Sequence, residues 1–144
     1  NRVAKYNIKP PLSDGDHNLK VFGKDINGVL SPYPGFEKFF IVSSEFALFN
    51  LYNYPNPFSE KTFFTFILPV IPEELKINIY TIAGRKIKEI KKTPSELIIG
   101  FNKIEWNSTD EDGDEIANGT YLYKVIIKSS ENSYQVTQKL SKVK

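Results

Sequence analysis

Three observations mark the amino-acid sequence as that of an all-β protein built as an antiparallel β-sandwich. Apolar and polar residues alternate in one short run after another, as in Leu75-Lys76-Ile77-Asn78-Ile79 and Tyr121-Leu122-Tyr123-Lys124-Val125, which is the period of a half-buried strand. Turn signals such as Asn27-Gly28, Ala83-Gly84 and Asn118-Gly119 separate the runs. Aromatic residues, mainly Phe and Tyr, make up 14% of the chain, and these side chains favour the pleated surface of a sheet. No long stretch holds a helical period.

Residues 1–44 carry three predicted strands, at residues 6–8, 19–22 and 36–42, joined by turn-rich segments at 10–16 and 25–28. In the third, Phe36, Lys38, Phe40 and Val42 share one side and Phe39 and Ile41 the other. A sandwich usually takes about seven strands, so three do not complete one. This segment is expected to be the C-terminal strands of a truncated immunoglobulin-like domain. Its apolar residues Leu19, Val21, Phe39, Phe40 and Ile41 then lack the sheet that would cover them.

Residues 45–144 supply a full set. Strands are predicted at 46–52, 62–68, 75–80, 85–90, 101–106, 121–127 and 134–140. Pro55 and Pro57 cannot donate ladder hydrogen bonds and belong at an edge or a crossover between sheets. Phe64, Phe66 and Leu68 face one way, and Leu75, Ile77 and Ile79 oppose Lys76, Asn78 and Tyr80. Gly84 permits a tight turn. Lys86, Lys88, Lys91 and Lys92 read as the wet face of the next strand. Ile104 and Trp106 share a face, Tyr121, Tyr123, Val125 and Ile127 line the longest strand, and Tyr134, Val136 and Leu140 line the last. This strand complement predicts a complete Ig-like sandwich.

Composition narrows the function classes. The 144 residues allow one domain or two small ones, and the net charge of +2 comes from interspersed acidic and basic residues, so neither a nucleic-acid nor a membrane-surface field is expected. No apolar run approaches the length of a membrane span. Cysteine is absent, which excludes disulfides, thiolate metal sites and Cys nucleophiles within the chain. Methionine is absent too, even at position 1, so we expect a processed piece or an excised segment of something longer.

Several separate motifs then occur in a fixed order. They are Tyr54-Pro55-Asn56-Pro57-Phe58 with Thr62, Ile79-Tyr80-Thr81-Ile82-Ala83-Gly84-Arg85, Gly100-Phe101-Asn102-Lys103-Ile104-Glu105-Trp106, Asp112-Gly113, and Asn118-Gly119-Thr120-Tyr121-Leu122-Tyr123. The series resembles the Ig-like domain first described in the flagellar hook-capping protein. That domain is also the C-terminal module of many surface proteins exported by the type IX secretion system of Bacteroidetes-type bacteria. The region before it, with Leu12-Ser13-Asp14-Gly15-Asp16-His17-Asn18-Leu19 and Asp25-Ile26-Asn27-Gly28, resembles the Ig-like segment of gingipain-type cysteine peptidases, including the sortase-like member of that system. The chain departs from the family in carrying Trp106-Asn107-Ser108 where Trp-Asp-Gly is usual, so the turn there is expected to differ. Glu96-Leu97-Ile98-Ile99 stands where an extra strand or an irregular crossover would sit.

Few residues are candidates for chemistry. The acidic loop with Asp110, Asp112 and Asp114, flanked by Glu111 and Glu115, has carboxylates of the kind calcium takes. Tyr121 stands where an EF-hand needs its bidentate Glu, so the loop is read as a solvated hairpin and no metal is assigned. His17 is the sole histidine, without a Ser, Cys or Thr poised beside it, and no Gly-x-Ser-x-Gly elbow is present. No catalytic or cofactor-binding residue is therefore assigned. Trp106 is read as core rather than as a sugar platform. Tyr52, Tyr54, Phe58, Tyr80 and Tyr123 would form an interaction belt if contiguous. The sequons Asn107-Ser108-Thr109 and Asn118-Gly119-Thr120 are read as turns.

The resemblance implies a non-catalytic hook-cap-type C-terminal module of an exported bacterial surface protein. Its role would be the sorting, anchoring or presentation of the parent, and its location secreted or at the cell surface. Two alternatives stand beside it. One is an accessory C-terminal region of a gingipain-like cysteine peptidase whose catalytic Cys and His lie upstream of Asn1. The other is a flagellar hook-assembly scaffold domain, less favoured by the Pro-Asn-Pro-Phe segment and the C-terminal placement. The expected partners are secretion or surface-assembly proteins adding at the sheet edge of residues 133–140, and upstream domains of the parent chain. Nucleic acid, membrane insertion and cofactors are not expected.

Overall fold

The computed structural model describes residues 12–24, 26–29 and 36–144, the side chain of Ile41 excepted. The strand expected at residues 6–8 lies outside them. The chain divides into two compact units, residues 1–44 and 45–144.

In the first unit, β1 (Gly15–Val21) and β2 (Phe36–Val42) form an antiparallel pair, with Leu19 opposite Lys38 and Val21 opposite Phe36. Asp14 closes one end: its carboxylate accepts hydrogen bonds from the Ser44 backbone N–H at 3.0 Å and hydroxyl at 2.7 Å. Both bonds favour the anion and hold the Asp14 carboxyl below its ordinary range. Leu19, Val21, Phe36 and Phe39 are exposed.

The second unit holds β3 (Phe49–Tyr54), β4 (Thr62–Leu68), β5 (Glu74–Thr81), β6 (Lys86–Lys92), β7 (Gly100–Trp106), β8 (Gly119–Lys128) and β9 (Ser133–Lys142). All pairings among them are antiparallel, in a three-stranded sheet β3-β4-β7 and a four-stranded sheet β6-β5-β8-β9. This is an Ig-like sandwich in which the fourth strand, β6, joins β5 rather than the first sheet as in antibody constant domains. Pro69 and Pro72 lie between β4 and β5, where neither could continue a ladder, and the chain changes sheet there.

Alternation buries one side of each strand. Phe64, Phe66 and Leu68 of β4 and Ile104 and Trp106 of β7 meet Leu75, Ile77 and Ile79 of β5, Tyr121, Tyr123, Val125 and Ile127 of β8, and Leu140 of β9 in one core. The Phe64 ring centroid lies 4.8 Å from that of Tyr123 and 6.1 Å from that of Trp106, and Phe58 packs on Trp106 at 5.8 Å. Between β5 and β6 the Gly84 N–H donates to Thr81 O at 2.9 Å, and Gly84 takes a left-handed φ of 86°, the conformation that turn demands.

Several sequence expectations need correction. The strand expected from residue 46 starts at Phe49, and Asn50 adopts a φ of 52° beside a register shift between Phe49 and Tyr52. The β6 lysines are not one wet face. Lys86 and Lys91 pair with Glu89, Lys92 with Glu96, and Lys88 reaches across to Asp110 O at 2.7 Å. Of the two alternatives for residues 96–99, the irregular crossover is the one observed and not the extra strand. The crossover begins with a short 3-10 turn, Pro94–Glu96, whose capping box pairs Thr93 with Glu96, and Leu97 enters the core. Bonds from Lys92 and Thr93 hold the Glu96 carboxyl far down, at about 2.

Ser108 takes a left-handed φ of 56° and is buried. Its hydroxyl donates to Glu60 O at 2.8 Å, a side-chain bond a glycine could not make.

Two tyrosines two positions apart on β8 point into the core with opposite polar accounts. The Tyr121 hydroxyl donates to Ala117 O at 2.7 Å, a tyrosine corner at the start of the strand. The Tyr123 hydroxyl is buried with no hydrogen-bond partner among the described residues, and burial pushes its phenol well above the ordinary range. Tyr121→Phe should therefore lower the unfolding free energy by about 1 kcal/mol. Tyr123→Phe, which removes an unsatisfied group, should leave it unchanged or raise it. Urea denaturation of both variants is the check, and equal losses would refute the distinction. A polypeptide of residues 45–144 holds this whole core and should unfold in one cooperative transition. A broad, non-cooperative melt would show that it depends on residues 1–44.

Candidate functional site

The acidic loop between β7 and β8 is built by its own backbone. Asp110 Oδ1 accepts from Asp112 N at 3.1 Å and Asp114 N at 3.0 Å, and Asp110 N donates to Asp114 O at 2.9 Å. The carboxylate most central to the loop is thus committed to backbone N–H groups, an Asx-type turn. Among the described residues no group of three or more His, Cys, Asp or Glu side chains is placed to hold a metal ion.

Residues 111–115 of the loop are exposed, as expected of a solvated hairpin, and the loop is in addition docked on β6. Glu111 N donates to Ile87 O at 2.9 Å, and the Glu111 carboxylate accepts from Glu89 N at 2.7 Å. One residue thus satisfies an outward acceptor and an outward donor of β6, the edge strand of its sheet. Lys88 adds the bond to Asp110 O and an ion pair with Glu111 at 3.8 Å. Blunting an edge in this way blocks pairing with another strand. At the far end of the loop the buried Lys142 amine pairs with Glu115 and holds that carboxyl below its ordinary range.

The opposite edge, β9, is clipped only in part. Pro55 O accepts from Thr62 Oγ1 at 2.8 Å and Asn53 Nδ2 at 3.2 Å, fixing the segment between two cis peptide bonds, Tyr54–Pro55 and Asn56–Pro57. The Asn56 side chain then behaves like a strand residue, accepting from Ser141 N at 2.9 Å and donating to Lys139 O at 3.3 Å. Phe58 N donates to Ser141 O at 3.0 Å, and Val143 N donates to Phe58 O at 2.8 Å. These bonds show that the backbone of Ser141 faces away from β8. The register between β8 and β9 is unbroken, so Ser133, Gln135 and Thr137 face the same way. Among the described residues nothing pairs with them.

The remaining candidates are placed as follows. His17 sits on β1, its Nε2 2.7 Å from Ser13 O and its ring stacked on Phe40 at 5.6 Å, with no nucleophile against it among the described residues. Trp106 is buried in the core and donates Nε1–H to Thr109 O at 2.9 Å. The five-residue aromatic belt does not exist as drawn. Phe58 and Tyr123 are buried, Tyr80 faces outward from the four-stranded sheet, and Tyr52 and Tyr54 face outward from the other.

The sequence reading also missed the buried amides and hydroxyls that tie the strands together. Asn53, Thr62 and Tyr121 bond backbone carbonyls, and the Asn102 amide bonds Ile98 N, Ile98 O and Gly100 O. The only available signal was their inward register among apolar neighbours. No helix among the described residues is long and apolar enough to cross a membrane.

No protein-family model and no curated protein sequence matches the chain. Among solved structures it is similar to dimeric latent PorU from Porphyromonas gingivalis, with 25% sequence identity and a TM-score of 0.58 over 93% of this chain. The chain spans 13% of the length of that one.

The loop geometry sets an expectation for calcium. A site filled to about a hundred times its dissociation constant would add about 2.7 kcal/mol, whereas Asp110 already spends Oδ1 on the backbone. Millimolar calcium should leave the melting temperature unmoved, while Asp110→Ala should lower stability by about 1–3 kcal/mol. A calcium-dependent rise of several degrees, lost in Asp112→Asn, would overturn this account.

Proposed function

We propose that the chain is a non-catalytic Ig-like module of a longer exported bacterial protein, serving to sort, anchor or present that protein at the cell surface. The observation that carries the reading is the likeness to latent PorU over 93% of this chain and 13% of that one, the proportion of an accessory module. It agrees with the sequence resemblance to hook-cap-type C-terminal domains and gingipain-type peptidases. Residues 45–144 would be the hook-cap-type domain, and residues 1–44 the last strands of the Ig-like domain before it.

The module would act by lending an edge. Ser133, Gln135 and Thr137 present backbone groups that an extended segment of a secretion or surface-assembly protein would pair with, as in strand addition. The second reading is an accessory region of a gingipain-like cysteine peptidase, whose Cys and His would lie elsewhere in the parent. The PorU likeness favours it over a flagellar scaffold.

Strand addition can be tested without disturbing the core. The Thr137 N–H points away from β8, so proline there removes an edge donor and no internal ladder bond. Thr137→Pro should leave the melting temperature within a few degrees of the parent while reducing surface display of the intact natural protein. Unchanged display with a folded module would rule out this edge as the contact.

A further inference from the structure

The outer faces of the two sheets differ in chemistry. On the four-stranded sheet the register turns Lys76 of β5, Lys124 and Lys128 of β8 and Lys139 of β9 away from the core, interleaved with the half-buried Tyr80, Leu122 and Ile126 and the buried Asn78, a mixed and mainly cationic face. On the three-stranded sheet it turns out Phe49, Tyr52 and Tyr54 of β3, Phe63 and Ile67 of β4, and Phe101 of β7. These residues stand in three cross-strand ranks: Tyr54–Phe63–Glu105, Tyr52–Thr65–Lys103 and Phe49–Ile67–Phe101. Tyr52 is 53%, Tyr54 70% and Phe101 54% exposed. β4 itself reads Thr-Phe-Phe-Thr-Phe-Ile-Leu, apolar on both sides, the pattern of a strand covered on both faces.

We propose that this aromatic face docks another folded domain of the same polypeptide. The inference rests on the reading of the chain as a module of a longer protein. Four observations select this occupant. The Phe63 ring, the one aromatic that the central strand turns outward, is unavailable for stacking on a sugar, because the amines of Lys103 and Lys61 lie 3.8 and 5.6 Å from its centroid. Aromatic and aliphatic residues dominate the two outer ranks, Thr65 stands in the middle one, and the charges are confined to Lys61, Lys103 and Glu105, a mixture of apolar area and peripheral charge that suits a protein contact.

Its size excludes a tight partnership between free molecules. Three strands about 4.8 Å apart and about seven residues long at about 3.3 Å each give a plane of roughly 14 by 23 Å. That falls well short of the roughly 800 Å² per partner of a standard stable complex. Contacts between domains of one chain hold at smaller areas, because the covalent link supplies a high effective concentration. The fourth observation is length: the solved chain to which this one is similar is far longer, this chain spanning 13% of it.

Tyrosine nitration reads the face directly. The 144-residue chain and the natural polypeptide that carries it are treated with tetranitromethane, and modified tyrosines are quantified by peptide mass spectrometry. Tyr52 and Tyr54 should react readily in the 144-residue chain, independently of protein concentration. They should react at least an order of magnitude more slowly in the longer polypeptide, while Tyr80 on the other sheet reacts equally in both. Phe101→Lys in the longer polypeptide should restore the reactivity of Tyr52. Equal reactivity of Tyr52 and Tyr54 in both proteins would overturn the proposal and leave the module reading intact. Protection that grows with concentration of the 144-residue chain would overturn it in favour of a second copy. A natural polypeptide no longer than 144 residues, seen from its mass before any labelling, would remove the module reading itself.

Discussion

The two sheets of a sandwich share a core but no ladder, and only a few contacts fix how one sits on the other. Here that task falls to the segment Tyr54–Phe58. Its start is gripped from the first sheet by Thr62 and Asn53 through the Pro55 carbonyl. Its end lies along β9 of the second sheet through Asn56 and Phe58. Each residue type follows from that position. Proline at 55 and 57 brings no N–H that would need a partner, asparagine offers a donor and an acceptor spaced like a peptide group, and phenylalanine anchors the run beneath Trp106. The bonds join residues about 85 positions apart, so the link closes the sandwich end to end.

The same economy governs the buried polar groups. Asn53, Thr62, Ser108 and Tyr121 each meet a specific backbone carbonyl; three of these bonds tie an irregular segment to a strand, and that of Ser108 joins two irregular segments. Such bonds add modest net free energy, but leaving a buried partner unsatisfied would cost more. Tyr123 is the exception on the same strand. Its ring packs against Phe64 at 4.8 Å, so shape and apolar area hold it in place and its hydroxyl contributes nothing.

The strands were legible in the sequence because burial writes a period of two into it. Thr62–Leu68 was read to the residue, and the core faces of β5, β7, β8 and β9 follow directly from alternation. What escaped the reading has no period. The bulge at Asn50 and the positive φ of Ser108 are properties of single residues that glycine usually supplies. The docking of Glu111 on β6 joins residues 22 to 24 apart with nothing in the local pattern to announce it. The aromatic belt failed for a related reason: counting aromatics does not tell which side of which sheet they take. Once register is known, Tyr52 and Tyr54 part from Phe58 and Tyr123, and Phe63 and Phe101 take their places.

Seen as a building block, the four-stranded sheet is polar in the sense of a chain terminator. Its β6 side is occupied by the molecule's own Asp110–Glu111 loop, and only a stretch of its β9 side remains unspent. Growth of a fibre by edge-to-edge stacking needs two complementary open sides on every unit. A unit with one closed side cannot relay the addition, so a crowd of identical copies stops at the first step on this sheet.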